Sequence, residues 1–469
     1  MKRIMSLIVL VGVLMSLLAA CGSAPAASPT TAPATTAPAT AEATVAATTE
    51  ATVEATVEAT VEATVEATVA PTEATAEPTP AAMTVVEYIM ATAAGMTPEA
   101  AAALGTITIA SQSPLSGDQA ALGTGIRNGV ELAIEQANVA LAGSGVEIGF
   151  TPFDDQAQPE VGSANAKNIV SDPDILCVVG HLNSGVALAS LPDYSNSSLV
   201  MISPANTNPK ITESGYANAF RVVGRDDLQG PIGARFAEEI GVKTVYILHD
   251  KTDYGQGVAE FFKLEAERLG LEVLAFEGTD EKSDFSSILT PLQAANPDMI
   301  YFGGLYPQAG PLLRQARDRG IMAQFLGPDG LDSPELAKLA GDALEGTYYT
   351  TVAAPVSQFP NAAQYATDYT AKFNGSAPPF SAQAYDSAAF CQAAIVTAAV
   401  EANGKPTREQ VLTAMKSLPA LSGITGTYSF SEKGDPNPAT YYIFATNSDP
   451  AMWDQNELTS KIESAPPTE

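Results

Sequence analysis

The sequence predicts an α/β protein of two lobes, each containing a parallel sheet covered by helices. Apolar strands alternate with amphipathic helices from about residue 106, which is the pattern of βαβ units. The alternation restarts after the segment Arg221–Asp226. About 365 residues follow the low-complexity N-terminal region, a length that suits two domains better than one.

The first series of units opens with a strand over Thr106–Ala110 and a helix over Thr124–Ala137. Ile126, Val130 and Ile134 recur on one face of this helix, as expected for packing on a sheet. The other predicted elements of the series are strands over Val146–Thr151, Ile175–Val179 and Leu199–Ile202 and a helix over Glu160–Val170.

The second series has the same alternation. Its predicted helices are Gly230–Ile240, Gly255–Leu269, Asp284–Ala295 and Pro307–Arg319, and its predicted strands are Thr244–Leu248, Leu271–Phe276 and Met299–Phe302. The pattern breaks near Thr350–Pro355. We then predict helices over Ala362–Phe373, Ala382–Ala402 and Arg408–Lys416, followed by a strand pair, Thr427–Phe430 and Tyr441–Ala445.

The N-terminus has the features of a secretory signal. A basic start, Met1-Lys2-Arg3, precedes an apolar run over Ile4–Leu18 and the sequence Leu-Ala-Ala-Cys that ends at Cys21. This ending resembles a bacterial lipobox, which implies removal of residues 1–20 and lipidation of Cys21. A plain secretory signal or a short membrane anchor are the alternatives, although the apolar run is short for a membrane span.

Residues 21–103 are predicted to be the lipidated cysteine followed by a disordered linker. Five copies of Glu-Ala-Thr-Val occupy Glu50–Val69, and such a composition buries too little apolar surface to offset the entropy of ordering. The end of this range differs, because Val85, Ile89 and Ala93 recur at helical spacing. Residues 83–104 are therefore either a docked helical pair or the end of the linker.

The composition excludes several classes of partner. Asp and Glu number 53 against 23 Lys and Arg, which gives a formal charge of −30. Nucleic acids and anionic lipid surfaces both require a basic footprint, so neither is expected to bind. Of the three cysteines, Cys177 and Cys391 lie in apolar segments and are expected to be unpaired core residues.

Small polar residues follow two neighbouring predicted strands. Gly180–Ser184 follows the first strand and Ser203–Thr207 follows the second. In an open parallel sheet, loops at the carboxyl ends of strands form the ligand crevice. A helix beginning near Ser184 would add backbone N–H groups and positive dipole charge, which favours binding of an anion such as a carboxylate.

Six segments in order resemble the periplasmic amino acid-binding proteins of the branched-chain (Leu/Ile/Val) type. They are FDDQAQP at 153–159, GHLNS at 180–184, SPANTNP at 203–209, HDKTDYGQG at 249–257, YFGGLYPQAG at 301–310 and LGPDG at 326–330. The resemblance covers about residues 105–463. It implies the type I periplasmic-binding-protein (Venus-flytrap) fold, with two Rossmann-like lobes joined by a hinge of three crossovers. The implied lobes are residues 104–226 with 355–432 and residues 227–354 with 433–463.

The resemblance also implies a ligand site. Ser184 and Thr207 would hold the carboxylate of an amino acid, while the Ala205 carbonyl and the Asp329 side chain would meet its ammonium group. The remaining implied ligand-site residues are Asn206, Tyr254 reaching over the ligand, Phe380 and Tyr385 in the wall, and Leu122 and Leu305 where aromatic residues are usual. The family's disulfide near the first ligand loop is expected to be absent, because Ala157 and Asn183 occupy its positions.

Enzyme classes lack their signatures. Gly123, Gly125 and Gly129 miss the dinucleotide fingerprint by one residue, and no nucleophile elbow or P-loop occurs. His181 and His249 are too few for a histidine-rich metal site, and we expect a neutral His181 that hydrogen-bonds loop carbonyls. We expect no cofactor and no metal.

We therefore expect an extracytoplasmic, lipid-anchored solute-binding protein that delivers an amino acid to an ABC permease. It would be a monomer, held at the outer face of the cytoplasmic membrane, or in the periplasm, only through its lipid anchor. The alternative is a sensory receptor domain that binds amides or amino acids.

Overall fold

The computed structural model describes residues 82–466. The predictions for the signal peptide, for Cys21 and for the linker up to residue 81 lie outside this range. The strands are β1 (Thr108–Ser113), β2 (Gly149–Asp154), β3 (Ile175–Gly180), β4 (Val200–Ser203), β5 (Ala219–Arg221), β6 (Thr244–His249), β7 (Glu272–Gly278), β8 (Met299–Gly303), β9 (Gln324–Gly327), β10 (Thr347–Thr351), β11 (Leu421–Ser422), β12 (Thr427–Tyr428), β13 (Ala439–Ala445) and β14 (Glu457–Ser464).

The helices are α1 (Val85–Ala93), α2 (Pro98–Ala102), α3 (Ala120–Ala140), α4 (Pro159–Ser171), α5 (Ser184–Asn196), α6 (Lys210–Glu213), α7 (Asp226–Glu239), α8 (Asp253–Leu269), α9 (Ser286–Ala295), α10 (Tyr306–Asp318), α11 (Pro334–Ala340), α12 (Ala363–Phe373), α13 (Ser381–Ala402) and α14 (Arg408–Ser417). Among residues 82–466, no helix combines the length and the apolar character that a membrane crossing requires.

Two sheets organise the chain, which confirms the predicted two-lobed α/β fold. The first has the order β2-β1-β3-β4-β5 and is parallel throughout. The second has the order β14-β13-β10-β9-β8-β6-β7, in which β13 and β14 are antiparallel to their neighbours. Every residue of β3 is buried, because this central strand is covered on both faces.

The chain passes between the two sheets three times. It leaves the first sheet after β5 and returns from β10 to α13 and α14, which pack on β3 and β4. It leaves again after β12 to enter the second sheet at β13. Three connecting segments of this kind form a hinge about which two lobes close on a ligand.

The two late predicted strands lie in different sheets, with the third passage of the chain between them. β12 pairs with β11 in a separate two-stranded sheet, whereas β13 pairs with β10 and β14. Strand β14 was not predicted, because charged and polar residues occupy most of it. As the edge of the second sheet it needs few buried side chains, so it carries little hydrophobic signal.

Residues 85–102 form two helices, so the prediction of a disordered linker reaching residue 103 is wrong for this segment. A capping box joins Thr84 and Glu87 at the start of α1, and Thr97 caps α2. Val85 and Ile89 are buried where α1 packs on α13. Of the two alternatives for this segment, the docked helical pair is therefore the one observed.

Cys177 and Cys391 form a disulfide, which corrects the prediction of two unpaired core cysteines. The bond joins β3 to α13 across 214 residues of sequence, with the two Cα atoms 5.9 Å apart. Both residues are buried, as the apolar surroundings indicated. The sequence could not show the pairing because each cysteine also suits a packed apolar segment.

Candidate functional site

The two polar loops predicted to flank the ligand are joined by one side chain. The Asn206 side chain accepts a hydrogen bond from the His181 N–H at 3.0 Å and donates one to the Leu182 carbonyl at 3.0 Å. The Ser203 hydroxyl accepts hydrogen bonds from the N–H groups of Ala205 and Asn206, which closes the second loop. Asn206 thus holds the loops together and uses both functional atoms of its amide in doing so.

Ser184 and Thr207 provide two unused donors in these loops. Their side chains are buried, and neither hydroxyl has a hydrogen-bond partner within the described part of the chain. Ser184 is the first residue of α5, so its hydroxyl lies at the positive end of a helix. Buried hydroxyls normally find a partner, and an oxygen-bearing ligand would supply one.

The opposite wall of the cleft belongs to elements around the second sheet. Tyr254, in the first turn of α8, donates a hydrogen bond to Asp329 Oδ1 at 2.6 Å and accepts one from the Gly330 N–H at 2.7 Å. Asp329 follows β9 and opens a 3-10 helix over Asp329–Leu331. Burial raises the pKa of Asp329 to about 6, against the opposing effect of the Tyr254 hydrogen bond.

Six of the predicted site residues line one cavity together. The cavity is lined by Leu122, Leu182, Asn183, Ala205, Tyr254, Leu305, Asp329, Gly330 and Phe380. Most of its side chains are apolar, and Asn183 and the Tyr254–Asp329 pair supply the polar groups. Such a combination, an apolar pocket with a few convergent polar groups, is typical of small-molecule sites.

The other predicted residues lie outside this lining. Ser184 directly follows the lining residue Asn183, and Thr207 lies two residues after Ala205. Tyr385 instead packs edge-on against Tyr365 and donates a hydrogen bond to Gln136 at 2.6 Å. Tyr385 does not line this cavity.

His181 is neutral, as predicted, because complete burial lowers its pKa to about 3. Its ring stacks on Tyr194, and Nε2 lies 3.4 Å from the Tyr194 hydroxyl. The predicted hydrogen bonds from the ring to loop carbonyls are not formed in the described residues.

Asp226 is a candidate site residue that the sequence patterns did not single out. It is the first residue of α7, it is fully buried, and neither carboxylate oxygen has a hydrogen-bond partner among residues 82–466. Burial and the charge of Asp329 raise the pKa of Asp226 well above its usual range, against the opposing effect of the nearby Thr207 hydroxyl. Its backbone N–H donates to the Thr207 carbonyl at 2.9 Å, which places it beside the ligand loop.

A signal for Asp226 is nevertheless present in the sequence. An acidic residue at a helix start, directly after a segment that leaves the carboxyl edge of a sheet, lies where ligands bind in open α/β folds. The segment Arg225-Asp226-Asp227 also marks a lobe boundary. The restart of the strand and helix pattern at this point indicates the boundary but not a ligand site.

Hydrogen bonds also cross between the two walls. The Asn208 side chain, after β4, donates to the Asp253 carbonyl at the start of α8 at 2.7 Å. Tyr306 at the start of α10 donates to the Asp118 carbonyl at 2.7 Å. The described conformation is therefore one in which the walls of the cleft are in contact.

A sequence profile of the family described as periplasmic binding protein matches residues 106–451. The chain belongs to the periplasmic binding protein family. Members of this family are substrate-binding proteins rather than enzymes, and they act outside the cytoplasm.

Curated relatives cover most of this periplasmic binding protein. A Leu/Ile/Val-binding protein homologue from Brucella abortus is 37% identical over 333 residues, 71% of this chain and 88% of the relative. A Pseudomonas aeruginosa protein named for binding leucine, isoleucine, valine, threonine and alanine is 34% identical over 346 residues, 73% of this chain and 91% of the relative.

Solved structures agree in fold. A leucine-binding protein from Thermotoga maritima superposes with a TM-score of 0.69 at 27% identity, covering 76% of this chain and 99% of that chain. A second structure is a branched-chain amino acid transporter substrate-binding protein from Streptococcus pneumoniae, solved with isoleucine. It superposes with a TM-score of 0.67 at 26% identity, covering 77% of this chain and 100% of that chain.

Proposed function

We propose that this periplasmic binding protein captures a branched-chain or closely related aliphatic amino acid and delivers it to an ABC transporter permease. The observation that carries the proposal is the cavity, in which the hydrogen-bonded Tyr254–Asp329 pair lies together with the apolar side chains of Leu122, Leu182, Leu305 and Phe380. The names of the relatives at 34–37% identity support the same class of ligand.

Each part of an amino acid has a complementary group. The hydroxyls of Ser184 and Thr207, which lack other partners in the described chain, suit the carboxylate. The ammonium suits the Asp329 carboxylate and the Ala205 carbonyl, both of which belong to residues that line the cavity. These are the residues we propose to fix the backbone of the ligand.

The side chain of the ligand would face aliphatic residues. Leu122, Leu182 and Leu305 line the cavity together with Phe380, and none of them offers a hydrogen-bonding group. A polar or charged ligand side chain would lose hydration there without compensation. This favours leucine, isoleucine and valine over hydrophilic amino acids.

The cellular arrangement is also part of the proposal. Cys21 would carry the lipid, the residues after it would tether the domain, and the protein would act as a monomer with permease subunits as its partners. The Cys177–Cys391 disulfide supports an oxidising, extracytoplasmic location, since such bonds persist mainly there.

Titration calorimetry on the purified full chain tests the ligand class. We expect leucine, isoleucine and valine to bind, and 4-methylpentanoate, which is leucine without its amino group, to bind at least about tenfold more weakly because it lacks the charge-assisted contact to Asp329. Equal binding of leucine and 4-methylpentanoate, or failure of every aliphatic amino acid to bind, would contradict the proposal.

A further inference from the structure

The backbone of the ligand loop is held from behind by a buried arginine. Arg221 Nη1 donates to the carbonyl of Asn206 at 2.9 Å and to that of Asn208 at 3.0 Å. The carbonyl between them, that of Thr207, accepts from the Asp226 N–H at 2.9 Å. Three successive carbonyls are thus fixed, and the residue in the middle carries one of the unused hydroxyls.

Arg221 is itself fixed by a residue of the third connecting segment. Its Nε donates to Asp435 Oδ1 at 2.7 Å, and the exposed fraction of the two side chains is 0% and 2%. Arg221 Nη2 donates to the Thr212 hydroxyl at 2.6 Å, which in turn donates to Asp435 at 2.9 Å. Every nitrogen of the guanidinium therefore has an acceptor.

Asp435 also contacts the first connecting segment. Arg225 Nη1 donates to Asp435 Oδ2 at 3.1 Å, and the Arg221 N–H donates to the Gly434 carbonyl at 3.0 Å. Asp435 lies between β12 and β13, where the chain makes its third passage between the sheets. One carboxylate thus joins two hinge segments to the arginine that holds the ligand loop.

Building on the amino acid binding proposed above, we infer that Arg221 and Asp435 are positioning residues for Thr207. They would hold the loop 206–208 in the conformation that presents the Thr207 hydroxyl and would tie that conformation to the hinge. Neither residue lines the cavity, so their effect on the ligand is indirect.

The chemistry of arginine suits this role. The planar guanidinium can direct one nitrogen at two carbonyls while the other two nitrogens meet Thr212 and Asp435. A lysine would carry the same charge but could not reproduce this geometry. Burying such a pair adds little stability over apolar packing of the same volume, so its value lies in fixing one arrangement.

The test compares Arg221→Lys and Asp435→Asn with Asp386→Asn in the full chain. Asp386 is a matched control because it is a buried carboxylate, 1% exposed, that accepts hydrogen bonds from the N–H groups of Ile424 and Thr425 and contacts no part of the ligand loop. Each variant is measured for leucine affinity by calorimetry, for melting temperature, and for amide hydrogen exchange in the unliganded state.

We expect Arg221→Lys and Asp435→Asn to weaken leucine binding by about tenfold or more and to speed exchange in peptides covering residues 204–208. Asp386→Asn should lower the melting temperature but leave affinity and exchange in this loop near the original values. If Arg221→Lys does not fold, Thr212→Val removes the Nη2 acceptor and the hydroxyl that donates to Asp435 but leaves both charged residues in place, so it should give the same changes at smaller size.

Two results would overturn the inference. One is Arg221→Lys, or Thr212→Val in its place, with unchanged affinity and unchanged exchange at residues 204–208. The other is an equal loss of affinity in Asp386→Asn, which would reduce the effect to general destabilisation. The exchange measurement needs no ligand, so failure of the unmodified protein to bind any amino acid would contradict the proposed function alone.

Discussion

The hydroxyl of Tyr254 lies 2.6 Å from Asp329 Oδ1 and donates a hydrogen bond to it. The same hydroxyl accepts from the N–H of Gly330, so the tyrosine closes a small ring with the backbone that carries the aspartate. This arrangement fixes one carboxylate oxygen of a residue that lines the cavity. A cationic group entering the cavity would meet a carboxylate that is already oriented.

Asp329→Asn should weaken binding of leucine by about 3 kcal/mol, about a hundredfold in affinity. This is the low end of the cost of an unpaired buried charge, because the Ala205 carbonyl remains as an acceptor in the cavity. Binding of 4-methylpentanoate, which has no ammonium, should change little. Calorimetry on both ligands measures the difference, which isolates the contact.

Asp332→Asn is the control for this variant. Asp332 lies three residues further along, is fully buried and accepts a hydrogen bond from Trp453 Nε1 at 2.9 Å, but it does not line the cavity. It should leave leucine affinity unchanged. If Asp329→Asn weakened both ligands equally, Asp329 would only shape its turn.

Thr207→Val should weaken leucine binding by about 1–3 kcal/mol, because it keeps the shape of the side chain but leaves a ligand oxygen without a donor. Thr350→Val is a matched control, since Thr350 is also buried with an unpartnered hydroxyl in the described chain but lies on β10, away from the cavity. Calorimetry that finds equal affinities for the two variants would remove Thr207 from the site.

The fold is largely predictable from the sequence because its signals are local. Alternation of strand and helix patterns specifies the two series of βαβ units, whereas the assignment of Tyr254 and Asp329 to one site comes from the resemblance to branched-chain amino acid-binding proteins. The existence of a strand is easier to predict than its position, since β1 lies at Thr108–Ser113 and not at Thr106–Ala110.

The features that escape prediction depend on contacts distant in sequence. Cys177 and Cys391 meet only because α13 packs on β3, which no local pattern specifies. Asp226 has the sequence context of an ordinary helix start, and its lack of partners becomes visible only when α7 is placed beside the loop of Thr207. In each case one residue type suits two environments, and tertiary packing decides between them.

Replacing both disulfide cysteines by alanine should destabilise the fold by about 2–5 kcal/mol, because the bond closes a loop of 214 residues. Denaturant unfolding under non-reducing conditions measures the loss against the unmodified protein. The difference in unfolding free energy between the variant and the unmodified protein should disappear when both proteins are unfolded in buffer that contains a reductant. Titration of two free thiols at Cys177 and Cys391 in the unreduced, denatured protein would show that the bond does not form.

Cys21→Ala should release the protein from the membrane fraction of its host, because the proposed lipid is its only anchor. Immunoblots of membrane and soluble fractions measure the shift, and incorporation of a labelled fatty acid should be lost in parallel. Ser23→Ala is the control, since it changes a residue close to Cys21 in sequence and keeps both the proposed anchor and the disulfide. Continued sedimentation of the Cys21→Ala protein with membranes would contradict lipid anchoring.

Leucine affinity should fall as the pH is lowered through about 6. The unliganded Asp329 has a pKa of about 6 because it is buried, and an ammonium group favours its ionised form. Above about pH 7 the carboxylate is already ionised and affinity should be constant. Below pH 6 each ligand must displace a proton, so affinity should drop by up to about tenfold per pH unit. Binding of 4-methylpentanoate should not fall in this way.

The stability of the unliganded protein should change in the opposite direction. Burial raises the pKa of Asp155 and Asp332 to about 7 and that of Asp386 to about 6 in the folded state, well above the usual value of an aspartate. A raised carboxyl pKa means that ionisation is disfavoured in the fold, and this penalty is lost as pH falls below the folded value. His181 opposes this trend, because its lowered pKa makes protonation unfavourable in the fold below about pH 6.5, but the three carboxyls together outweigh one imidazole. The melting temperature should therefore rise between about pH 7.5 and 5, while the additional increase caused by leucine shrinks. A leucine-induced increase that stays constant across this range would show that the ligand does not require an ionised Asp329.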